Sequence, residues 1–475
     1  MKQGLLLSIL IGTLFFGQIW SQETVISKGR VVDSLKVEDS ISETFSLYIP
    51  QDFENGETWP TLVIFDPQGR GRLTTQLFRS IAEEQGYIIA ASNEVLNKTP
   101  LQTNLQVANR LITRLLISIP VNPNLVYVGG LKEGAELASA TPLIYQDIRG
   151  VLAVGDAWVN PELTDKMKPF FFSAVAGDED AGLFGLQAFV DFYKQKKFPT
   201  EINYFDGNNK EWPDTFVLNN AVSAFSLDAM AKGLREKDQV FIQRLFEKEL
   251  ESTEMLRRQR DYLRAYEKLE QMEDKYALFN VNSDKVTDRL KSLKRNKAYR
   301  QQRRDFRRAE NLEAEKQEEY RYLMEMDILS TNFENIGWWE YQIQELQELA
   351  EKGSPAEKKI YTRLQDFLRE LSLSHFDIIM ESQAGIDTKI FVSVLRTALD
   401  KEDPEAYLKI ISLAGHDGDH QTALMYLEDL LRTGYKNIDA LYDIEGILDL
   451  ILSQEYNDLI KKYLGESKYY NHSFK

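Results

Sequence analysis

Apolar residues in the first half of the chain come in short runs, and stretches with helical spacing separate them. SETFSLYIP, TLVIFDP, YIIAASN, NLVYVGG, GVLAVGDA, FFFSAVAG and TEINYFDG each have strand length, carry β-branched and aromatic residues, and end at Gly, Pro, Asn or Asp. Between them, LTTQLFRSIAEEQG, LQTNLQVANRLITRLLISI, the run from Glu133 to Tyr145, LFGLQAFVDFYKQKK and TFVLNNAVSAFSLDAMAKGL have the apolar spacing of amphipathic helices. Strand alternating with helix predicts a mostly parallel, doubly wound α/β sheet over residues 22–233.

After Gly233 the strand patterns stop. From Leu234 onward the chain reads as charged amphipathic helix, broken at Asn280 to Asp284, Thr331 to Gly337, Gly353 to Pro355, Gly385, Asp403 to Pro404 and Gly434. An all-helical region is therefore expected, with a charged hairpin region over 234–330 and a second unit over 331–475. In PEAYLKIISLAGHDGDHQTALMYLEDLLRTGY, Gly418 precedes Ala423, Leu424, Leu427 and Leu430, and Tyr435 lies just beyond. That unit resembles a tetratricopeptide repeat, and DYLRAYEKL from Asp261 resembles one more weakly. Stacked hairpins of this kind imply a surface for a protein or peptide partner.

Composition narrows the setting. A chain of 475 residues holds two or three domains, and 57 basic against 74 acidic residues leave a net charge of −17. That balance argues against a protein built to grip nucleic acid. The start, MKQGLLLSILIGTLFFGQIWSQ, reads as a secretory signal over residues 1–21, with cleavage near Ser21 or Gln22, although Ile19 is a poor match to the small residue expected there. An uncleaved anchor is the alternative. Without a single cysteine the chain has neither a disulfide nor a lipid-bearing Cys, so a periplasmic or secreted bacterial protein, not a lipoprotein, is expected. No further run of membrane-spanning length follows.

The candidate chemistry centres on VYVGGLKEGA, residues 126–135: a strand, a glycine-flanked turn and the start of a helix. Gly130 and Gly134 are the only glycines spaced four apart in the chain. Such a turn holds a nucleophile clear of its surroundings, and small flanking residues let strand and helix pass closely. Three other landmarks accompany it: TLVIFDPQGRG, AGDED ending at Asp180, and FDGNNKEWP. In this order the four resemble an α/β-hydrolase, nearest to secreted esterases of the feruloyl esterase and polyhydroxybutyrate depolymerase kind. The resemblance implies an oxyanion-hole loop after TLVIF, a nucleophile at Lys132, a triad acid at Asp180, and a base at Lys210, or at Asn209 if the loop shifts by one. It further implies that Asp66, Gln68, Gly69 and Glu133 line a remnant pocket able to take an acyl or sugar group.

The residues at those positions do not supply the chemistry. An amine cannot form an acyl-ester, and at its usual pKa of about 10 it is protonated. Neither Lys210 nor Asn209 replaces an imidazole, and all four histidines, His375, His416, His420 and His472, lie in the helical half. A triad loses its activity when nucleophile or base is removed. The expectation is a non-catalytic α/β-hydrolase-like protein acting as a binding or scaffold module, with no cofactor. The alternative is a secreted esterase using unorthodox residues, with Lys132 as an amine nucleophile whose pKa Lys210 would lower, while Glu133 and Asp180 would oppose that. The simplest role for Lys132 is to pair with Asp180 or Glu133 and plug the old pocket.

Three further features have two readings each. HDGDH, residues 416–420, carries metal-ligand residue types but falls in an inter-helix turn, and no metal is expected. KSLKRNKAYRQQRRDFRR, residues 291–308, suits an anionic membrane surface or polymer, or else is solvated helix paired with the acidic AENLEAEKQEEY that follows. Trp338 and Trp339 are either a packing anchor between helices or a binding hot spot.

Overall fold

The computed structural model describes residues 27–470 apart from 55 and 98; the expected export signal and His472 lie outside them. Its first half alternates strand and helix: β1 (Val31–Lys36), β2 (Thr44–Tyr48), β3 (Trp59–Phe65), α1 (Gly71–Leu77), α2 (Arg79–Gln85), β4 (Ile88–Ser92), α3 (Leu101–Ser118), β5 (Val121–Leu131), α4 (Glu133–Ala140), β6 (Ile148–Val154), α5 (Pro161–Thr164), β7 (Phe171–Gly177), α6 (Leu183–Gln195), β8 (Thr200–Phe205) and α7 (Thr215–Ala231). The strands form one sheet in the order β1-β2-β4-β3-β5-β6-β7-β8. β2 pairs antiparallel with β1 and β4, and every pairing from β4–β3 to β7–β8 is parallel.

Helices cover both faces, which is why the central strands read as nearly unbroken apolar runs. Alternate residues divide between the two cores: Val63 and Phe65 pack with Leu111 and Leu115 of α3, Leu137 of α4 and Leu186 of α6, whereas Leu62 and Ile64 pack with Phe78, with Ile81 of α2 and with Leu218 and Phe225 of α7. This is the expected fold class, a mostly parallel, doubly wound α/β sheet followed by an all-helical region. The addition is β1, an edge strand whose residues are half-exposed or exposed and whose pairing with β2 shifts register at a bulge beside Ser34. Without a buried face it leaves no apolar signature.

The described elements beyond α7 are all helical: α8 (Gln239–Arg258), α9 (Tyr262–Lys275), α10 (Asp284–Arg295), α11 (Lys297–Ser330), α12 (Ile336–Lys352), α13 (Pro355–Glu381), α14 (Ile386–Leu399), α15 (Pro404–His416), α16 (His420–Arg432), α17 (Ile438–Tyr442), α18 (Leu448–Ile451) and α19 (Gln454–Leu464). From α12 to α16 each helix packs against the next. α11 is one continuous rod in which the basic and acidic stretches follow each other, and it contacts α9, α13 and α14.

Buried ion pairs join the two halves. Lys275 of α9 reaches Glu201 of β8 at 2.7 Å and Glu249 of α8 at 2.9 Å, with all three side chains almost wholly buried. Arg363 of α13 forks onto the buried Glu313 of α11 and also donates to the backbone carbonyl of Asp178, just after β7. Asp178 in turn receives Lys359 of α13 and, at 3.4 Å, Arg264 of α9.

Candidate functional site

The turn from β5 into α4 is built by two glycines that need each other. A Cβ on Gly130 would lie 2.0 Å from the backbone of Gly134, and one on Gly134 would lie 2.1 Å from the carbonyl oxygen of Phe65 on β3. That approach throws the intervening residue into an unusual conformation: Lys132 has φ 49° and ψ −118°. Strain of this kind in a non-glycine residue persists only where the surroundings impose it. Here the Lys132 amide donates to the Val154 carbonyl at 2.9 Å, while its own carbonyl accepts from Ala135 and Glu136 to start α4.

The Lys132 ammonium lies 2.9 and 3.1 Å from the two carboxylate oxygens of Asp180, on the loop after β7. Asp180 is buried and accepts two backbone amides as well, Gly182 at 2.9 Å and Asn209 at 3.0 Å. Asn209, not Lys210, is therefore the residue that stands beside the acid. Its side-chain oxygen accepts the Gly177 amide at 3.2 Å and its Cβ packs on Gly155, which locks it in place. Lys210 is turned outward, its side chain 62% exposed, toward Asp366 of α13 at 3.3 Å.

The loop after β3 is held from within. Asp66 is fully buried and accepts the Gln68 amide at 2.9 Å, the Trp212 indole at 2.8 Å and the Arg70 guanidinium at 3.0 Å. Arg70 continues to Glu211 at 2.6 Å, so the EWP end of the β8 loop is tied to the β3 loop. Gly69 turns with φ 68° where a side chain would strike the Asn93 carbonyl. Asp66 and the Gln68 amide are thus engaged in the loop itself, and the Glu133 side chain is exposed.

Four residues that no local motif flagged complete the site. Lys359, Arg363, Asp366 and Glu370 recur along α13 at spacings of four, three and four, which puts them on one stripe of the helix. The stripe faces the sheet's C-terminal edge with matched charge: Lys359 and Arg363 meet Asp178, Asp366 meets Lys210, and Glu370 lies 3.6 Å from the Lys132 ammonium. A capping box between Ser354 and Glu357 sets where α13 begins. The helical half therefore lies across the turn at Lys132. The 4-3-4 recurrence of charged residues opposite the apolar stripe Ile360, Leu364, Leu368 was the signal available in the sequence.

Electrostatics follow from this crowding. Burial lowers the affinity of Lys132 for its proton, but attraction to Asp180 and Glu370 outweighs it, and the pKa is raised above the ordinary lysine value. The turn thus presents an ammonium at neutral pH, which cannot attack a carbonyl. Burial and repulsion by Asp156 and Glu133 push Glu136 up to about 7, and burial raises Asp156 and Glu370 as well.

Trp339 is fully buried with its indole on Asp327 at 2.8 Å, and Trp338 packs edge-on against it, which makes the pair a packing anchor. In HDGDH, His416 ends α15, Asp419 caps α16 and His420 begins it. Among the described residues no three His, Asp or Glu side chains converge to hold a metal. His375 lies on α13, where burial lowers its affinity for a proton and Glu325 of α11 only partly opposes this.

No protein-family model and no curated protein sequence matches the chain. Among solved structures it is similar to esterase B from Lactobacillus rhamnosis, with 17% identity and a TM-score of 0.36 over 44% of this chain and 89% of that one. It is also similar to Thermogutta terrifontis esterase 2, with 13% identity and a TM-score of 0.34 over 45% of this chain and 98% of the other. An esterase from the archaeon Pyrobaculum calidifontis gives 12% identity and a TM-score of 0.33 over 43% and 85%.

Proposed function

We propose that the protein is an exported, non-catalytic α/β-hydrolase-like protein that acts as a binding or scaffold module. The observation that carries this reading is Lys132: a protonated amine occupies the turn where a nucleophile would stand, held by Asp180 and overlaid by Glu370 of α13. With Asn209 against Asp180, the site holds neither an acyl acceptor nor an imidazole to move its proton.

Binding would then fall to other surfaces. The tetratricopeptide-like hairpins offer a cavity of about 390 Å³ between α12, α14, α15 and α16, lined by Glu340, Lys401, Tyr407, Tyr426 and Arg432, a mixture suited to a peptide or protein partner. A second cavity of about 760 Å³ lies between the β8 edge with α6 and the helices α9 and α11, where Phe184, Tyr204, Tyr266 and Glu267 line room for a small ligand such as an acyl or sugar group.

The test is direct. Purified protein is incubated with short-chain nitrophenyl esters and a fluorophosphonate probe, and neither turnover nor labelling above a Lys132→Ala control is expected. Borohydride trapping with a small carbonyl compound should leave Lys132 unmarked. Turnover that disappears in the control, or trapping at Lys132, would establish the esterase or amine-nucleophile alternative instead.

A further inference from the structure

The first third of α11 carries Lys297, Arg300, Arg303, Arg304, Arg307 and Arg308, all exposed. At about 100° per residue these six fall within an arc of about 140°, and at about 1.5 Å rise they extend about 16 Å along the helix. The centre of this arc lies about 120° from the packed side, where Tyr299 is buried against Tyr266 at a ring separation of 4.7 Å and Phe306 packs against Phe184 at 5.5 Å. Lys291 and Arg295, near the end of α10, extend the exposed basic surface. Residues 291–308 hold nine lysines and arginines and one acid, Asp305, in a chain whose net charge is −17.

This surface is not neutralised by the protein itself. Asp305 lies 3.9 Å from Arg308, and Arg304 donates to Gln301 at 2.6 Å. Among the described residues, Lys297, Arg300, Arg303, Arg304 and Arg307 have no carboxylate within 4.0 Å. The acidic stretch that follows forms its own pairs, Lys316 with Glu319 and Arg321 with Glu318.

We infer that the basic face of α11 is a docking surface for an anionic lipid bilayer. Clustered cations on an exposed helix face complement the diffuse negative charge of acidic headgroups, and they need no pocket or defined spacing. Arg303 and Arg307 border the cavity beside α6 and α9, and the two aromatic residues of this stretch are turned inward, so no stacking platform for bases is available, as single-stranded nucleic acid would require. The chain's overall negative charge does not oppose the contact at ordinary ionic strength, where screening over about 10 Å leaves a bilayer sensing the ridge it touches.

The experiment is sedimentation of the purified full chain with phosphatidylcholine vesicles, with and without phosphatidylglycerol. The protein should pellet with the acidic vesicles and stay in solution with the neutral ones, and pelleting should fall on raising salt from about 0.1 M to about 0.5 M. Arg300→Glu, Arg304→Glu and Arg307→Glu together should lower partitioning at least about tenfold while leaving the circular dichroism melting curve unchanged. A parallel triple reversal at exposed lysines elsewhere, Lys36→Glu, Lys166→Glu and Lys352→Glu, separates the ridge from net charge and should have the smaller effect. Equal pelleting with neutral vesicles, no pelleting with acidic ones, equal losses in the two triple variants, or tighter retention by a single-stranded oligonucleotide than by the vesicles would overturn the inference.

Discussion

Lys132 combines two opposed contributions in one residue: a backbone conformation that disfavours any side chain with a Cβ, and an ammonium that neutralises a buried carboxylate. The two separate by substitution. Lys132→Ala keeps the strain and leaves Asp180 buried with only amide donors, so a loss of about 2 kcal/mol is expected, below the range for fully buried pairs because the lysine is 21% exposed. Lys132→Gly removes the strain as well and should be more stable than the alanine variant by about 1 kcal/mol in urea melts. Since the folded pKa of Lys132 is raised, its stabilisation is present below the unfolded lysine value and is lost as pH rises through the folded one. Stability of the wild type should therefore drop more than that of Lys132→Ala between pH 9 and strongly alkaline solution. Glu136 acts in the same direction over a lower pH window. A carboxyl raised to about 7 binds its proton more tightly folded than unfolded, so stability falls as pH rises from the ordinary glutamate value to about 7. Glu136→Gln should remove about 2 kcal/mol of that fall, and an unchanged pH profile would show that the carboxyl is not held as described. Lys132 and Asp180 were legible in sequence because the glycine spacing and the AGDED loop marked them. That Asn209 rather than Lys210 meets Asp180 was not, because a one-residue choice in a loop depends on which amide the buried carboxylate captures.

At the scale of elements, α13 does most to tie the helical half to the sheet. Its charged stripe is not uniform in strength. Arg363 pairs with Glu313 in a fully buried setting, so Arg363→Ala should cost about 3 to 4 kcal/mol, measured by urea denaturation. Glu370 is 53% exposed, and Glu370→Gln should cost less than about 1 kcal/mol. Comparable losses from both would mean that the stripe does not grade with burial. The turn into α4 is the other sensitive element. Gly130→Ala would force backbone apart from backbone, with a loss of about 3 kcal/mol or more. Seven strands and their crossover helices were legible because parallel strands covered on both faces are continuous apolar runs. β1, exposed at the edge, had no such run, and the docking partner of α13 was invisible because charge spacing on a helix does not name what it faces.

Over the whole molecule, the sheet and the helices are joined by buried pairs at two separate places, Lys275 with Glu201 and Glu249, and Arg363 with Glu313 and the Asp178 carbonyl. Unfolding either half alone would break these pairs and expose the surfaces that bury them, so calorimetry of the full chain should show one transition. Two resolved transitions in the wild type would mean that the halves are energetically independent. The same joints place α13 over the turn at Lys132 and leave the basic ridge of α11 facing outward.

Sequence by itself determined the alternation of strand and helix, the switch to all-helical structure after Gly233, the tight glycine turn, and the lysine at its apex. Those features are local, set by apolar period, by glycine's missing Cβ and by side-chain chemistry. Only the tertiary structure decided that the helices close over the turn, that Asp66 is engaged inside its own loop, and that Arg300, Arg303, Arg304 and Arg307 of α11 have no carboxylate partner among the described residues. Each of these depends on which distant groups meet, and ion pairing is settled by distance and burial, which no linear pattern of charges specifies.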